Sequence, residues 1–446
     1  MKKIVTALVC LFLSSCSPNS KTHNIDTIAE EYVRLVLQVG QYDSAVVDAY
    51  FGPEEWKPSE QKAVVFPQVT LVHSANDLYD KCTVLLESKN PNVNASRIEM
   101  LQKQLIALRT KVEMIGGKTY SFDEEAALLY DAEPPFYPLS YFDKLLDEMD
   151  QLLDGDAVLS SRYTTFMEQF IIPKDMLDSV FNVATAESRA ITKQYLDLPT
   201  QENFVLEYVN DKVWSGYNYY QGDSQSLIQI NTDFPIHIDR AIDLASHEGY
   251  PGHHIYMMLL DQNLVNTKGW MEYSVYPLFS PLSFISEGSA NYGIDMVFPG
   301  EKRLAFERDV LFPIVGISKK KAQKFHKVQE LKAKLKYAEN EIARRYLNGV
   351  IGKEEAIGMI ETYLLFSPKK AIQRLNFIET NRSYVINYNL GRDQVANHMK
   401  LSGADPELPE KRWEIFKELL SNPYSSSTLK NKFPFALPVL NALIEG

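Results

Sequence analysis

The chain has 446 residues, 45% of them apolar and 23% charged, which is ordinary for a globular protein with ample core. Its formal net charge of −12 excludes a general nucleic-acid binder, because phosphate contacts need a basic face. There is no internal repeat and no low-complexity tract, so a repeat array is excluded as well.

The first residues have the layout of a secretory signal, with Lys2 and Lys3 followed by the apolar run Ile4 to Leu13. That run is too short to span a bilayer. It ends in Leu13-Ser14-Ser15-Cys16, which resembles a bacterial lipobox. Residues 1–15 are therefore expected to be removed, with Cys16 becoming a lipid anchor to the membrane and residues 16–24 a polar tether. Ser17 carries no signal for inner-membrane retention, so the expected location is the cell envelope, on the periplasmic side of the outer membrane if the cell has two membranes. With Cys10 removed and Cys16 acylated, only Cys82 remains, so no intramolecular disulfide is expected. Cys82 lies among Leu78, Tyr79, Leu85 and Leu86 and reads as a core residue.

Residues 25–446 read as one predominantly α domain. Apolar spacing predicts helices over Ile25–Val39, Ser44–Phe51, Ser74–Glu87, Ser96–Met114, Ser121–Tyr130 and Tyr141–Leu152, with two more between Ser160 and Leu196. Ser121 and Glu124 have capping-box spacing. The stretch Trp214 to Tyr220 is dense in aromatics and reads either as a channel lining or as a packed loop. Ser226 to Asn231 has strand character. It is expected to be an edge strand that pairs an extended peptide through main-chain hydrogen bonds, with Asn231 and Asp233 as substrate contacts.

Three of the eight histidines fall in His247-Glu248-Gly249-Tyr250-Pro251-Gly252-His253-His254. The zinc pattern HExxH places two histidines four apart on one helical face, with the Glu beside the reacting water. Here the spacing from His247 to His253 is six, about 600° round a regular helix, so a straight helix cannot chelate with this pair. Pro251 lacks the N–H that a helix needs and Gly252 tolerates unusual dihedrals. Looping those two residues out restores HExxH with His253 as second ligand and leaves His254 to touch the ligand shell or substrate. A longer bulge would shift the ligand role to His254. A third ligand is needed, and Glu287, in Ile285-Ser286-Glu287-Gly288-Ser289-Ala290-Asn291, fits a downstream helix that Ser283 or Ser286 could cap. Asn291, one turn on, is expected to orient a ligand histidine.

Beyond Glu287, Lys319-Lys320-Lys321 with Lys324, Lys327, Lys332, Lys334 and Lys336 reads as a solvated helix face. Helices are expected at Glu354–Leu365 and Pro368–Phe377. In Arg382-Ser383-Tyr384-Val385-Ile386-Asn387-Tyr388 the two tyrosines lie one helical turn apart. His398 reads as an exposed or satisfied histidine.

HEGYPGHH followed by the Glu287-Gly288-Ser289-Ala290 segment resembles the domain-of-unknown-function 885 family, many of them bacterial lipoproteins, which is similar to the helical gluzincins such as thimet oligopeptidase and carboxypeptidase Taq. The resemblance implies a large helical zincin-like body with two halves about a deep cleft and a small β element before the metal helix. It also implies a zinc cofactor and a peptide substrate. Ser289 stands where that family usually has Trp, and Tyr384 near a usual Gln. The family's Tyr-x-x-Gly segment falls on Tyr388-Asn389-Leu390-Gly391, making Tyr388 the expected oxyanion donor, with Tyr384 as substitute and Arg382 as a weaker, substrate-binding candidate.

Two histidines and a carboxylate leave zinc an open position for water, the catalytic arrangement. Glu248 is then free to act as general base. The reading is a lipid-anchored zinc metallopeptidase; the alternatives are a zinc hydrolase of another amide and a non-catalytic peptide-binding lipoprotein. An intact Glu248 argues against the last, which needs no base.

Overall fold

The computed structural model describes residues 24–59, 61–88 and 94–431. The signal, Cys16 and most of the tether lie outside the described residues. The described residues are 67% helix and 7% strand, so the predominantly α expectation holds.

In chain order, α1 (Ile25–Gly40) leads to β1 (Val47–Tyr50), followed by α2 (Gln68–Glu87), α3 (Ala95–Ile115), α4 (Phe122–Tyr130), α5 (Leu139–Leu152), α6 (Leu159–Glu168) and α7 (Leu177–Tyr195). A three-stranded unit comes next: β2 (Asn203–Val209), β3 (Gly216–Gly222) and β4 (Gln225–Asn231). The motif region holds α8 (Asp239–Leu244), α9 (His253–Leu260), β5 (Val275–Pro277) and α10 (Pro281–Val297). The remainder is helical: α11 (Glu301–Phe306), α12 (Phe312–Ile314), α13 (Ala322–Leu335), α14 (Ala338–Leu347), α15 (Lys353–Tyr363), α16 (Pro368–Asn381), α17 (Ile386–Leu401), α18 (Pro409–Leu420) and α19 (Ser426–Asn431).

Local signals fix several of these boundaries. The Asn24 side chain accepts from the Asp26 N–H at 2.9 Å to start α1, and Ser121 with Glu124 forms the expected capping box of α4. The helix expected over Ser44–Phe51 is instead a single 3₁₀ turn followed by β1. β1 pairs antiparallel with β5, Val47 opposite Pro277 and Tyr50 opposite Val275. A distant partner strand overrides local helical spacing here.

One smaller core joins α1, α2 and α3 through Ile28, Tyr32, Val36, Leu78, Cys82 and Leu101. Cys82 is fully buried there, a packing residue. α3 turns its other face, with Met100 and Ala107, into the main core. Each fully buried large apolar side chain contributes about 1.5–3 kcal/mol relative to exposure, so α3 couples the two cores.

The three-stranded sheet has the order β2-β4-β3, with β4 parallel to β2 and antiparallel to β3. The expectation that Ser226 to Asn231 forms an edge strand is therefore corrected: β4 is central, flanked on both sides. The aromatic stretch before it supplies the edge, as β3, with Trp214 stacked on Tyr217 at 5.5 Å. α10 and α17 cross in close contact at two glycines. A Cβ on Gly288 would lie 2.5 Å from the Gly391 carbonyl group, so only glycine permits this approach. That crossing brings Glu287 under Tyr384 and Tyr388.

Candidate metal centre

α8 widens into a π-helical turn at Ala245–Gly249, then breaks. Tyr250 is extended (φ −116°, ψ 112°), as expected of a residue before proline, and the Tyr250–Pro251 peptide is cis. The Gly252 N–H donates to the Ser246 carbonyl at 2.9 Å, and a Cβ there would sit 1.8 Å from the His247 carbonyl oxygen. Only glycine fits against that carbonyl. α9 then restarts at His253, folded back beside His247. The excursion is thus longer than the expected Pro-Gly pair by one residue, Tyr250, yet it delivers His253 rather than His254.

His247 Nε2 and His253 Nε2 lie 3.1 Å apart. From α10, Glu287 places Oε2 3.2 Å from His247 Nε2 and Oε1 3.6 Å from His253 Nε2. These three form the one His/Cys/Asp/Glu group with metal-ligand spacing among the described residues. Ligands about 2.0–2.1 Å from a tetrahedral zinc stand roughly 3.3 Å from one another, so the observed triangle has the right edge lengths. Glu287 Oε2 is buried and receives no well-aligned hydrogen bond, an orphan that a cation satisfies. The residues therefore fit a tetrahedral divalent metal with one position left for a non-protein ligand.

Electrostatics point the same way. Burial opposes charge on His253, but Glu287, with Glu248 and Asp48, outweighs it and raises the imidazole to about 9. Burial likewise opposes charge on Glu287, yet His253 and His247 hold its carboxyl well below the usual carboxylate range. The pocket is built for positive charge.

Two hydroxyls hold the ligand atoms. Ser286 Oγ is 2.9 Å from His253 Nδ1, leaving Nε2 for the centre, and the Tyr384 hydroxyl donates to Glu287 Oε1 at 2.7 Å. The expected cap role of Ser286 is corrected, since α10 begins at Pro281 after Ser280. Tyr384, expected as a substitute oxyanion donor, has its proton engaged by the ligand carboxylate. Asn291 does not orient a histidine; its Nδ2 donates to the Tyr388 carbonyl at 3.0 Å, tying α10 to α17.

Glu248 is buried but stays outside the ligand group. Asn218 Nδ2 donates to its backbone carbonyl at 2.7 Å, and its carboxylate lies against Gly216, where a Cβ would be 2.7 Å from Oε1. Edge strand β3 thus runs directly past Glu248. Tyr388 is half-buried, 5.7 Å from the Tyr384 ring and 6.3 Å from Phe377. Burial and then Glu287 raise its phenol well above the ordinary value, so it remains a proton donor at neutral pH.

The remaining substrate-contact expectations change. His254 is fully buried, with Nδ1 2.8 Å from Ser226 Oγ and Nε2 3.0 Å from Glu202 Oε1; no ring nitrogen is left for substrate. Asn231 donates to the Lys212 and Trp214 carbonyls, both at 2.9 Å, and accepts from the Asp233 N–H. It braces the β2–β3 loop, as does Asp233, which accepts from the Asp211 N–H at 3.0 Å. Arg382 is paired with the buried Glu125 at 2.6 Å. Sequence spacing gave no hint of Asp48, half-buried on β1 and hydrogen-bonded to the Tyr217 hydroxyl. Burial, opposed by that bond and by His253, raises its carboxyl to about 7. It lines an open groove of about 600 Å³ with Tyr50, Tyr219 and Leu227; the His–His–Glu triangle itself is outside that groove.

No protein-family model matches the chain, and no curated protein matches it. Among solved structures it is similar to a candidate lipoprotein from Colwellia psychrerythraea, at 14% identity over 88% of this chain and 72% of that chain, with a TM-score of 0.50. A candidate lipoprotein of unknown function from Shewanella oneidensis aligns at 11% identity over 80% of this chain and 73% of that chain, with a TM-score of 0.42. The first of these shares the fold.

Proposed function

We propose that the protein is a zinc-dependent metallopeptidase in which His247, His253 and Glu287 hold the metal and Glu248 is the general base. The observation that carries this reading is the triangle of ligand atoms at 3.1, 3.2 and 3.6 Å, assembled from three helical segments with a buried carboxylate left outside it. Bound zinc supplies a Lewis acid that polarises the peptide carbonyl and lets water ionise near pH 7. Glu248 accepts a proton from the attacking water at its carboxylate and returns it to the departing amine nitrogen. Tyr388 donates its phenolic proton in a hydrogen bond to the carbonyl oxygen as that oxygen gains charge. Tyr384 and Ser286 hold Glu287 and His253 in place. The free edge of β3 pairs the extended peptide main chain beside Glu248.

The resemblance of the motif to the domain-of-unknown-function 885 family and the helical gluzincins supports this assignment. A lipid anchor at Cys16 would hold the enzyme in the cell envelope. The lipobox-like Leu13-Ser14-Ser15-Cys16 supports that location, as does the Colwellia psychrerythraea fold neighbour, itself described as a candidate lipoprotein. Among the described residues no helix is long and apolar enough to cross a membrane.

The test is Glu248→Gln, assayed on a mixed-peptide library with metal content measured in parallel. The amide keeps the shape and cannot take the proton, so turnover should fall roughly a hundred- to ten-thousandfold with zinc retained. Near-normal turnover in that variant would remove Glu248 from the mechanism.

A further inference from the structure

β3 presents two sides, as the alternation of a strand requires. Gly216 and Asn218 face Glu248: a Cβ on the first would lie 2.7 Å from Glu248 Oε1, and Nδ2 of the second donates to the Glu248 carbonyl. Tyr217 and Tyr219 face the other way, their ring centroids 4.3 Å apart, beside Gln229 and Leu227, their partners in the β3–β4 register. Tyr219, Leu227 and Gln229 line the open groove of about 600 Å³, with Asp48 and Tyr50 of β1 completing its wall.

Among the described residues Asp48 is the one carboxylate of that groove. Its Oδ1 accepts from the Tyr217 hydroxyl, a neutral donor. Among the described residues the carboxylate has no ion pair, and Oδ2 has no hydrogen bond. Lys212 is the one cation in the lining, but it is exposed and its ammonium lies over the Trp214 ring at 5.9 Å. A half-buried carboxylate is stabilised as an anion by a counter-ion, and Oδ2 is left for a cation arriving from the groove. The rest of the wall suits such a group, since tyrosine rings attract an ammonium and side-chain amide oxygens accept from it.

Asp48 is also fixed beside the proposed catalytic groups. β1 pairs with β5, Val47 opposite Pro277 and Ala49 opposite Tyr276, and β5 leads into α10, which carries Glu287. Tyr217, which holds Asp48, lies between the two β3 residues that touch Glu248. The side chains of a peptide extended along β3 alternate between the same two sides. The residue next to the one at Glu248 therefore turns towards the groove.

We infer that Asp48, walled by Tyr50 and Tyr219, is a specificity-determining residue that binds a cationic group of the substrate close to the scissile bond, either a basic side chain or the free N-terminal ammonium. The inference rests on the peptidase reading for the word substrate, but its test does not need turnover. Zinc-loaded Glu248→Gln protein, in which the neighbouring carboxylate is neutral, would be titrated calorimetrically with three C-terminally amidated peptides: acetyl-Ala-Ala-Phe, acetyl-Ala-Lys-Phe and unacetylated Ala-Ala-Phe. A cationic peptide should bind at least about tenfold tighter than acetyl-Ala-Ala-Phe, as a charge-assisted contact implies, and which of the two gains identifies the source of the cation. In Asp48→Asn, which keeps an acceptor for Tyr217 and loses the charge, that preference should collapse; Asp48→Ala should do the same if the asparagine variant does not fold. Equal binding of all three peptides, or a preference that survives loss of the charge, overturns the subsite. A loss in Asp48→Asn that is equal for all three peptides assigns Asp48 to holding β3 and overturns it as well. Absent hydrolysis of any peptide by the wild-type protein would sink the peptidase reading and leave these binding results standing.

Discussion

His253 and His254 are adjacent in sequence, each faces a carboxylate, and the two clusters they build behave as opposites. Around His254 every polar group is used: Ser226 and Glu202 take its two nitrogens, and Glu202 also accepts from Arg189 at 2.7 Å and from the Tyr250 hydroxyl. Around His253 one nitrogen is fixed by Ser286 while the other converges with His247 on Glu287, whose Oε2 is left without a good donor. The same residue types thus give a closed structural lock and an open centre. The difference lies in one orphaned oxygen and in which side of α9 each ring occupies, about 100° apart on the helix. The lock also explains how the motif keeps its shape after the break at Pro251, because Tyr250 and His254, on either side of that break, are both tied to Glu202.

The comparison can be sharpened first at its outer edge. If the open cluster is a working centre, Tyr388→Phe should lower turnover about a hundred- to a thousandfold with metal content unchanged. Unaltered steady-state rates would assign the oxyanion contact to another group. A corresponding change within the closed cluster should not act on turnover in this selective way.

Next in size are the groups that hold the ligands. Tyr384→Phe and Ser286→Ala should each weaken zinc affinity about ten- to a hundredfold, the usual effect of removing a ligand's hydrogen-bond partner, read by competition with a chelating dye. Wild-type affinity in both would mean that the triangle holds itself without them.

The smallest effect belongs to the lock. Burial acts to raise Glu202, but His254, Tyr250 and Arg189 outweigh it and hold the carboxyl down to about 2. A depressed carboxylate stabilises the fold above its unfolded value of roughly 4.3 and loses that contribution as pH falls through its folded value. Glu202→Gln should therefore cost about 1–3 kcal/mol at neutral pH, and the gap to wild type in denaturant melts should close between about pH 4 and pH 2. A gap that stays constant over that range would show that the lock does not depend on the Glu202 charge.

What the sequence disclosed and what it hid divide along the same line. The ligand triangle was legible because its chemistry is local: Pro251-Gly252 forces the break, and Glu287 falls on a helix of small residues. The helices of the first 200 residues were legible from apolar spacing and the Ser121 cap. The contributions from distant segments were not. β1 in place of a helix, the central position of β4, the approach of Asp48 and the Glu202 lock all depend on strand pairing or side-chain contacts between remote segments, which leave no periodic trace. His254 and Asn231 were assigned to substrate on proximity in sequence alone, and burial with full hydrogen bonding withdraws both.

The most direct measurement is equilibrium dialysis against buffered zinc, with metal counted by mass spectrometry, for wild type, His253→Ala and His254→Ala, each checked for folding by circular dichroism. The account predicts one zinc per chain in the wild type and in His254→Ala, with His253→Ala folded and depleted of metal. Full occupancy in a folded His253→Ala protein, with loss in a folded His254→Ala, would contradict it.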